Sequence, residues 1–266
     1  MADGPGMFGL IGCGQLGGAI GRRLIESGTI AASDMRICNR SGPVAAFAAY
    51  PGIGWVRDPQ AIAEGCDTIL LALPPASARG LRFSAPGRLV LSVMAGITVA
   101  ELRQISGSAR VARGMSNPAA ETGMAYSPWY APGLDAAGKG LARTVFSACG
   151  VTDEVPAESQ IDVFTAITGP VPGFVAYFAA AMQDYAEGQG IAPETARRAV
   201  AQLFRAAGPM LAAPERPPAA FVREMADYAG TTAAGLAALE ARGVRAAIAE
   251  GLEAARLRCL TIGKAE

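Results

Sequence analysis

The chain has no histidine among its 266 residues. That absence removes the usual base of a serine or cysteine triad, the commonest metal ligand, and the imidazole acid of lactate- or malate-type dehydrogenases. Lysine is almost as scarce, with only Lys139 and Lys264. Lys139 sits in Gly138-Lys139-Gly140, which reads as an exposed turn, and Lys264 lies near the end, so a catalytic lysine has no good candidate. The formal net charge is zero, which leaves no excess of basic residues to suggest a nucleic-acid surface. The five cysteines, at 13, 38, 66, 149 and 259, form no C-x-x-C pair. An odd and dispersed set suits reduced thiols in a cytoplasmic protein, and neither a disulfide framework nor a metal site is expected. Prolines and charges interrupt every apolar stretch, including Val163 to Met182, so no membrane span is expected. The first residues lack the basic and apolar regions of a signal peptide.

Glycine, by contrast, is abundant, and its placement near the start carries the most information. Met7-Phe8-Gly9-Leu10-Ile11 is an apolar strand that runs into Gly12-Cys13-Gly14-Gln15-Leu16-Gly17. Among 33 glycines a Gly-x-Gly-x-x-Gly match is weak evidence by itself, and its flanks strengthen it. Leu16, Ala19, Ile20, Leu24 and Ile25 recur at helical spacing, so the motif opens an amphipathic helix. Such a helix aims its first N–H groups and positive dipole end at a pyrophosphate. A second strand, Met35 to Cys38, then delivers Asn39-Arg40-Ser41 to the place where dinucleotide-binding units meet the adenosine ribose. An acid there would favour NAD. A guanidinium and a hydroxyl favour the 2′-phosphate of NADP(H).

The coarse organisation is α/β, with a Rossmann-type parallel-sheet domain over 1–157 and an all-α domain over 158–266. Helices are expected at Val44 to Tyr50 and Pro59 to Glu64, and strands near Trp55-Val56, over Thr68 to Leu73, over Leu89 to Val93 and near Arg110 to Arg113. Pro74-Pro75 ends the strand over Thr68 to Leu73. Thr98 and Glu101 have the spacing of a capping box for a helix ending near Ile105. Beyond Val155-Pro156 the pattern turns helical, with breaks at Gly169 to Gly173, Gly188 to Gly190 and Ala212 to Pro218. Phe174 to Met182 is apolar on all sides. Burial against a second subunit accounts for it best, and a central core helix within one monomer is the alternative.

Three further segments narrow the reading. They are Arg113-Gly114-Met115-Ser116-Asn117-Pro118-Ala119, Thr165 to Phe174 with its Thr168-Gly169-Pro170-Val171-Pro172-Gly173 kink, and Ala229-Gly230-Thr231-Thr232. In this order behind an NADP-type fingerprint, the chain from Met7 to about Arg258 resembles pyrroline-5-carboxylate reductase. The resemblance implies an N-terminal Rossmann domain, a C-terminal helical dimerisation domain, NADPH as cofactor, a small imine as substrate, and a homodimer. It implies that Gly12, Cys13, Gly14, Gln15, Leu16 and Gly17 hold the pyrophosphate, and that Asn39, Arg40 and Ser41 meet the ribose. Ala72, Leu73, Pro74, Ala95 and Gly96 would line the nicotinamide side, with Asn117 also facing the cofactor. Gly230, Thr231 and Thr232 would bind the substrate carboxylate, with Thr168, Gly169 and Val171 beside the imine. Thr232 is the candidate for a catalytic contact near the ring nitrogen. Simple helix capping is the competing role for both threonines.

The chemistry agrees with the absences. A C=N bond can arrive already protonated, so hydride addition needs no histidine or lysine acid, and positioning can carry much of the rate. The departures from the family pattern cluster on the substrate side: Pro170 and Val171 replace serine and glycine, Phe174 a tyrosine, Ala229 a glycine, Pro74 a lysine, and Ser116 a proline. The expected activity is NADPH-dependent reduction of a cyclic imine carboxylate, by default 1-pyrroline-5-carboxylate to L-proline. A different imine, or a non-catalytic NADP-binding regulatory role, are the alternatives.

Overall fold

Alternation of side chains builds the sheet. The computed structural model describes residues 5–213 and 216–262. Its first elements are β1 (Phe8–Ile11), α1 (Gln15–Glu26), β2 (Met35–Cys38), β3 (Gly54–Val56), α2 (Pro59–Gly65), β4 (Thr68–Leu71), α3 (Pro75–Arg79), β5 (Leu89–Ser92), α4 (Val99–Ser106) and β6 (Val111–Gly114). There follow β7 (Ala125–Tyr126), β8 (Trp129–Tyr130), α5 (Ala136–Ala148), β9 (Gly150–Val151) and α6 (Ser159–Ile167). The main sheet runs β3-β2-β1-β4-β5-β6-β8, parallel except for the antiparallel edge strand β8. Leu10, Ile37, Leu70 and Leu91 point into one apolar layer, with α1 and α5. Ile11, Cys38, Ile69, Leu71 and Val90 point into the other, with α2 and α4. A two-residue period covered on both faces is why these strands read as unbroken apolar runs. Each fully buried leucine or isoleucine contributes about 1.5–3 kcal/mol of transfer free energy.

Local chemistry places the helix starts. Thr98 Oγ1 accepts from Glu101 N–H at 3.2 Å while Glu101 Oε2 accepts from Thr98 N–H at 2.8 Å, the reciprocal box expected from the spacing. Asp58 caps α2 with Pro59 at its first position, and Asp135 caps α5 by accepting from Gly138 N–H at 2.7 Å.

Several expectations are corrected. Residues 44–50 form only the 3₁₀ turn Ala45–Phe47, with Phe47 the one fully buried side chain of the segment. Phe47 anchors the turn, edge-on to Tyr50 and Trp55. Lys139 lies inside α5, not in a turn, and its ammonium pairs with Glu154 at 2.6 Å. The helix α3 and the edge strand β8 are additions to the expected elements. Met1 to Gly4 and Lys264 lie outside the described residues.

The helical part comprises α7 (Gly173–Gly188), α8 (Pro193–Ala212), α9 (Pro218–Asp227), α10 (Thr231–Ala241) and α11 (Val244–Thr261). α7 packs on α8 and α9 on α10. By contacts the chain divides after Val171, and the stretch from Glu253 onward belongs with the first unit. Within one chain α7 buries no residue: Phe174, Val175, Tyr177, Phe178 and Met182 are all exposed, Tyr177 by 74%. A core helix of a monomer could not look like this, so the monomer alternative fails. No helix among the described residues is long and apolar enough to cross a membrane.

Candidate active site

The glycine loop sits where β1 gives way to α1, and Gly12 and Gly17 there each answer to a measurable steric constraint. Gly12 has φ +101°, and a Cβ on it would lie 2.6 Å from the Ala72 carbonyl oxygen. A Cβ on Gly17 would lie 2.0 Å from the Gly12 carbonyl oxygen, so helix and loop pack at backbone contact. A Cβ on Gly14 would meet no atom within 4 Å. That openness, with Gly14 and Gln15 exposed and the start of α1 capped by no side chain, leaves the helix N-terminus accessible to an anion. The residues therefore fit a dinucleotide pyrophosphate.

A cleft of about 370 Å³ opens beside the loop, bounded by Cys13, Gly14, Gln15, Val44, Pro118 and Glu121. Arg22 lines it too and pairs with Glu121 at 2.6 Å. Burial pushes the Cys13 thiol up, an effect that Arg22 partly offsets. Leu16 is half-buried and packs against the core layer that holds α1.

Asn39 to Gly42 form a tight turn at the end of β2. Gly42 N–H donates to Asn39 O at 3.0 Å, and Asn39 Nδ2 donates to Gly42 O at 2.6 Å. Asn39 thus closes the turn with its own amide, while Arg40 and Ser41 stand exposed at its tip. The Asn39 N–H also donates to Val56 O at 3.0 Å, which brings the end of β3 alongside. Arg57, exposed and next in the chain, is a second guanidinium at this edge that the sequence pattern did not single out.

On the other flank, Ala72 N–H donates to Ile11 O at 2.9 Å and Val93 N–H to Leu71 O at 3.0 Å. The ends of β1, β4 and β5 are therefore contiguous, and the structure brings Gly12, Ala72 and Leu73 together. Pro74 is exposed and precedes α3. Ala95 and Gly96 form the turn after β5, with Gly96 buried at φ +68°.

Asn117 is only 3% exposed, and both ends of its side chain are used internally. Its Oδ1 accepts from Ala119 N–H and its Nδ2 donates to Thr168 O, each at 2.9 Å. Asn117 thus joins the loop after β6 to the turn after α6. Thr168 donates its hydroxyl back to Phe164 O, and a Cβ on Gly169 would lie 2.4 Å from Thr165 O. Val171 is exposed.

A buried ion cluster lies behind these loops. Arg113, 2% exposed on β6, pairs with Asp162 of α6 and reaches Glu158 at 3.3 Å. Glu158 also accepts from Val99 N–H at 2.7 Å, and the Cys259 thiol donates to Asp162 at 3.4 Å. An arginine in an otherwise apolar strand was the visible signal for this cluster.

In the second unit, Gly230 is the N-cap of α10 and no side chain caps the helix. Thr231 and Thr232 occupy its first two positions and are exposed, so the capping role does not apply to them. Ala229 just before them has φ +54°, the only positive φ of a non-glycine among the described residues. It stands where the family pattern has glycine, and a Cβ there costs roughly 1–2 kcal/mol.

A parallel sheet with this glycine cradle and a phosphate-suited turn defines a Rossmann-type dinucleotide-binding protein with a helical C-terminal part. Comparison with known proteins narrows the class. A model described as pyrroline-5-carboxylate reductase dimerisation matches residues 158–262, and one described as NADP oxidoreductase, coenzyme F420-dependent, matches residues 7–96. The pyrroline-5-carboxylate reductase of Thermus thermophilus is 31% identical over 96% of this chain and 98% of its own. Pyrroline-5-carboxylate reductase 3 of mouse is 28% identical over 98% and 97%. The solved pyrroline carboxylate reductase of Plasmodium falciparum with NADP bound superposes with a TM-score of 0.81 at 21% identity, covering 98% of this chain and all of that one. The chain belongs to the pyrroline-5-carboxylate reductase family, and its dimerisation region carries the family's homo-oligomerisation.

Proposed function

We propose that this protein reduces a small cyclic imine carboxylate with NADPH, with 1-pyrroline-5-carboxylate to L-proline as the default reaction, as a cytoplasmic homodimer. The observation that carries the reading is the start of α10. A helix whose N-terminus no side chain caps, with two threonine hydroxyls in its first turn, is a carboxylate clamp. The relatives' printed names supply the matching substrate. When bound, NADPH supplies the hydride. The chain's own part is to hold and orient. Gly12, Gly14 and Gly17 present backbone to the pyrophosphate, and Arg40 and Ser41, with Arg57 alongside, receive the 2′-phosphate. Gly230 and Thr231 hold the substrate carboxylate, and Thr232 makes the polar contact at the ring nitrogen. An imine that arrives protonated asks for no side-chain acid.

Two observations favour a second reading, an imine other than the five-membered default. Pro170 and Val171 occupy the kink, and Ala229 holds a strained φ before the clamp. One experiment separates the two. Five- and six-membered cyclic imine carboxylates are assayed for NADPH and NADH oxidation. Turnover on 1-pyrroline-5-carboxylate with NADPH preferred supports the first reading, and turnover confined to another imine supports the second. No imine-dependent oxidation across the panel removes both.

A further inference from the structure

We infer that Cys259 to Ile262, the end of α11 with the residue that follows it, is a strap that sets the nicotinamide-side loop Ala95–Gly96, and that Arg79 is the positioning residue that fastens it. This rests on the reading that Ala95 and Gly96 lie beside the nicotinamide.

Gly96 supports a close approach from the C-terminal segment. A Cβ on it would lie 2.4 Å from the Cys259 carbonyl oxygen and 2.9 Å from Ile262 Cγ2, so the strap rests on bare backbone. Its left-handed φ is one that a non-glycine residue adopts only with strain. Arg79, at the end of α3, reaches three acceptors at once. It is five residues from Pro74, so its own backbone follows the Ala72–Pro74 segment. Its Nη2 donates to Gly96 O at 3.2 Å and to Ile262 O at 3.4 Å. Its Nη1 pairs with Glu101 Oε1 at 2.5 Å. Glu101 uses its other oxygen to accept from the N–H and hydroxyl of Thr98, so the same carboxylate closes the helix start that follows the loop. Burial raises the Glu101 carboxyl, but the bonds from Thr98 and Arg79 together outweigh it and hold the group below its usual range.

A second anchor works from the far side. Cys259 is buried, and its thiol donates to Asp162, which is paired with Arg113 on β6. Two guanidinium groups thus hold the strap at its ends, Cys259 through Asp162 and Ile262 directly. A planar fork with several donors suits Arg79 to this task in a way an ammonium does not. The pyrophosphate and ribose contacts lie at the other loops, so slackening this fastening should misplace the ring without releasing the cofactor.

The test compares wild type, Arg79→Met, Arg79→Lys and Ile262→Gly in the full chain. NADPH affinity is followed by fluorescence titration, turnover with the best imine of the panel, the isotope effect with NADPH deuterated at the transferring carbon, and amide exchange over Ala95–Thr98. Arg79→Met should lower kcat about tenfold to a hundredfold, raise the isotope effect and speed loop exchange, with the NADPH Kd within about threefold of wild type. Arg79→Lys should fall between the two, and Ile262→Gly should speed exchange over the same residues. A kcat and loop exchange unchanged in Arg79→Met and Ile262→Gly would overturn the inference. So would an NADPH affinity that falls as far as kcat. Failure of the underlying reading is distinct, since wild type itself would then show no imine-dependent turnover.

Discussion

The two ends of the proposed reaction site are built on different principles. At the cofactor end the chain has almost no freedom: Gly12 and Gly17 are held by backbone contacts that no side chain could share, and both faces of the sheet behind them are buried. At the proposed substrate end, the start of α10 is exposed, is preceded by a strained alanine, and belongs to a unit whose large apolar side chains remain uncovered in one chain. A family can change its substrate by altering the second without disturbing the first. The positions that depart from the family pattern include Pro170, Val171 and Ala229, whereas the glycine fingerprint is intact.

Substitutions at each end test this contrast. Gly17→Ala should be the most damaging, because its Cβ would meet backbone on a rigid loop. A loss exceeding about 3 kcal/mol is expected, read as a collapse of the thermal transition together with NADPH binding. Arg40→Asp should weaken NADPH about a hundredfold in direct titration while leaving NADH nearly unchanged, since it exchanges a charge-assisted contact for repulsion. Equal losses for both cofactors would remove the 2′-phosphate role. Thr232→Ala should cost about tenfold or more in kcat/KM for the imine, with the NADPH Kd unaltered. If NADPH affinity fell in step, the two ends would not be separable in this way. Ala229→Gly should be the mildest, raising stability by up to about 1 kcal/mol because relief of the left-handed strain exceeds the added unfolded-chain entropy. Differential scanning calorimetry would register this as a small rise in Tm.

Much of the first unit was legible because its constraints are local. A glycine that must sit against backbone, a buried strand of period two and a capping box each leave a pattern within a few residues. The 3₁₀ turn at Ala45–Phe47 and the helical Lys139 escaped, since tertiary anchoring through Phe47 and the Asp135 cap decided them. Asn117 was recognisable as important, but its function as a link to Thr168 depends on a partner 51 residues away. The return of the chain from Glu253 to the first unit has no local signature at all. Arg79 likewise has no local signature, because its acceptors Gly96, Glu101 and Ile262 are distant in sequence.

The thiols complete the picture that the missing histidine began. Burial holds all five cysteines above their ordinary value of 9.0, Cys66 at about 11 and Cys149 at about 12. Near neutrality, then, this protein has no imidazole and no ready thiolate, the two side chains that most often give an enzyme its sensitivity to small changes in acidity or to mild oxidants. A bend in its rate profile at those pH values would have neither group behind it. The first suspect would be the proton that the imine brings with it.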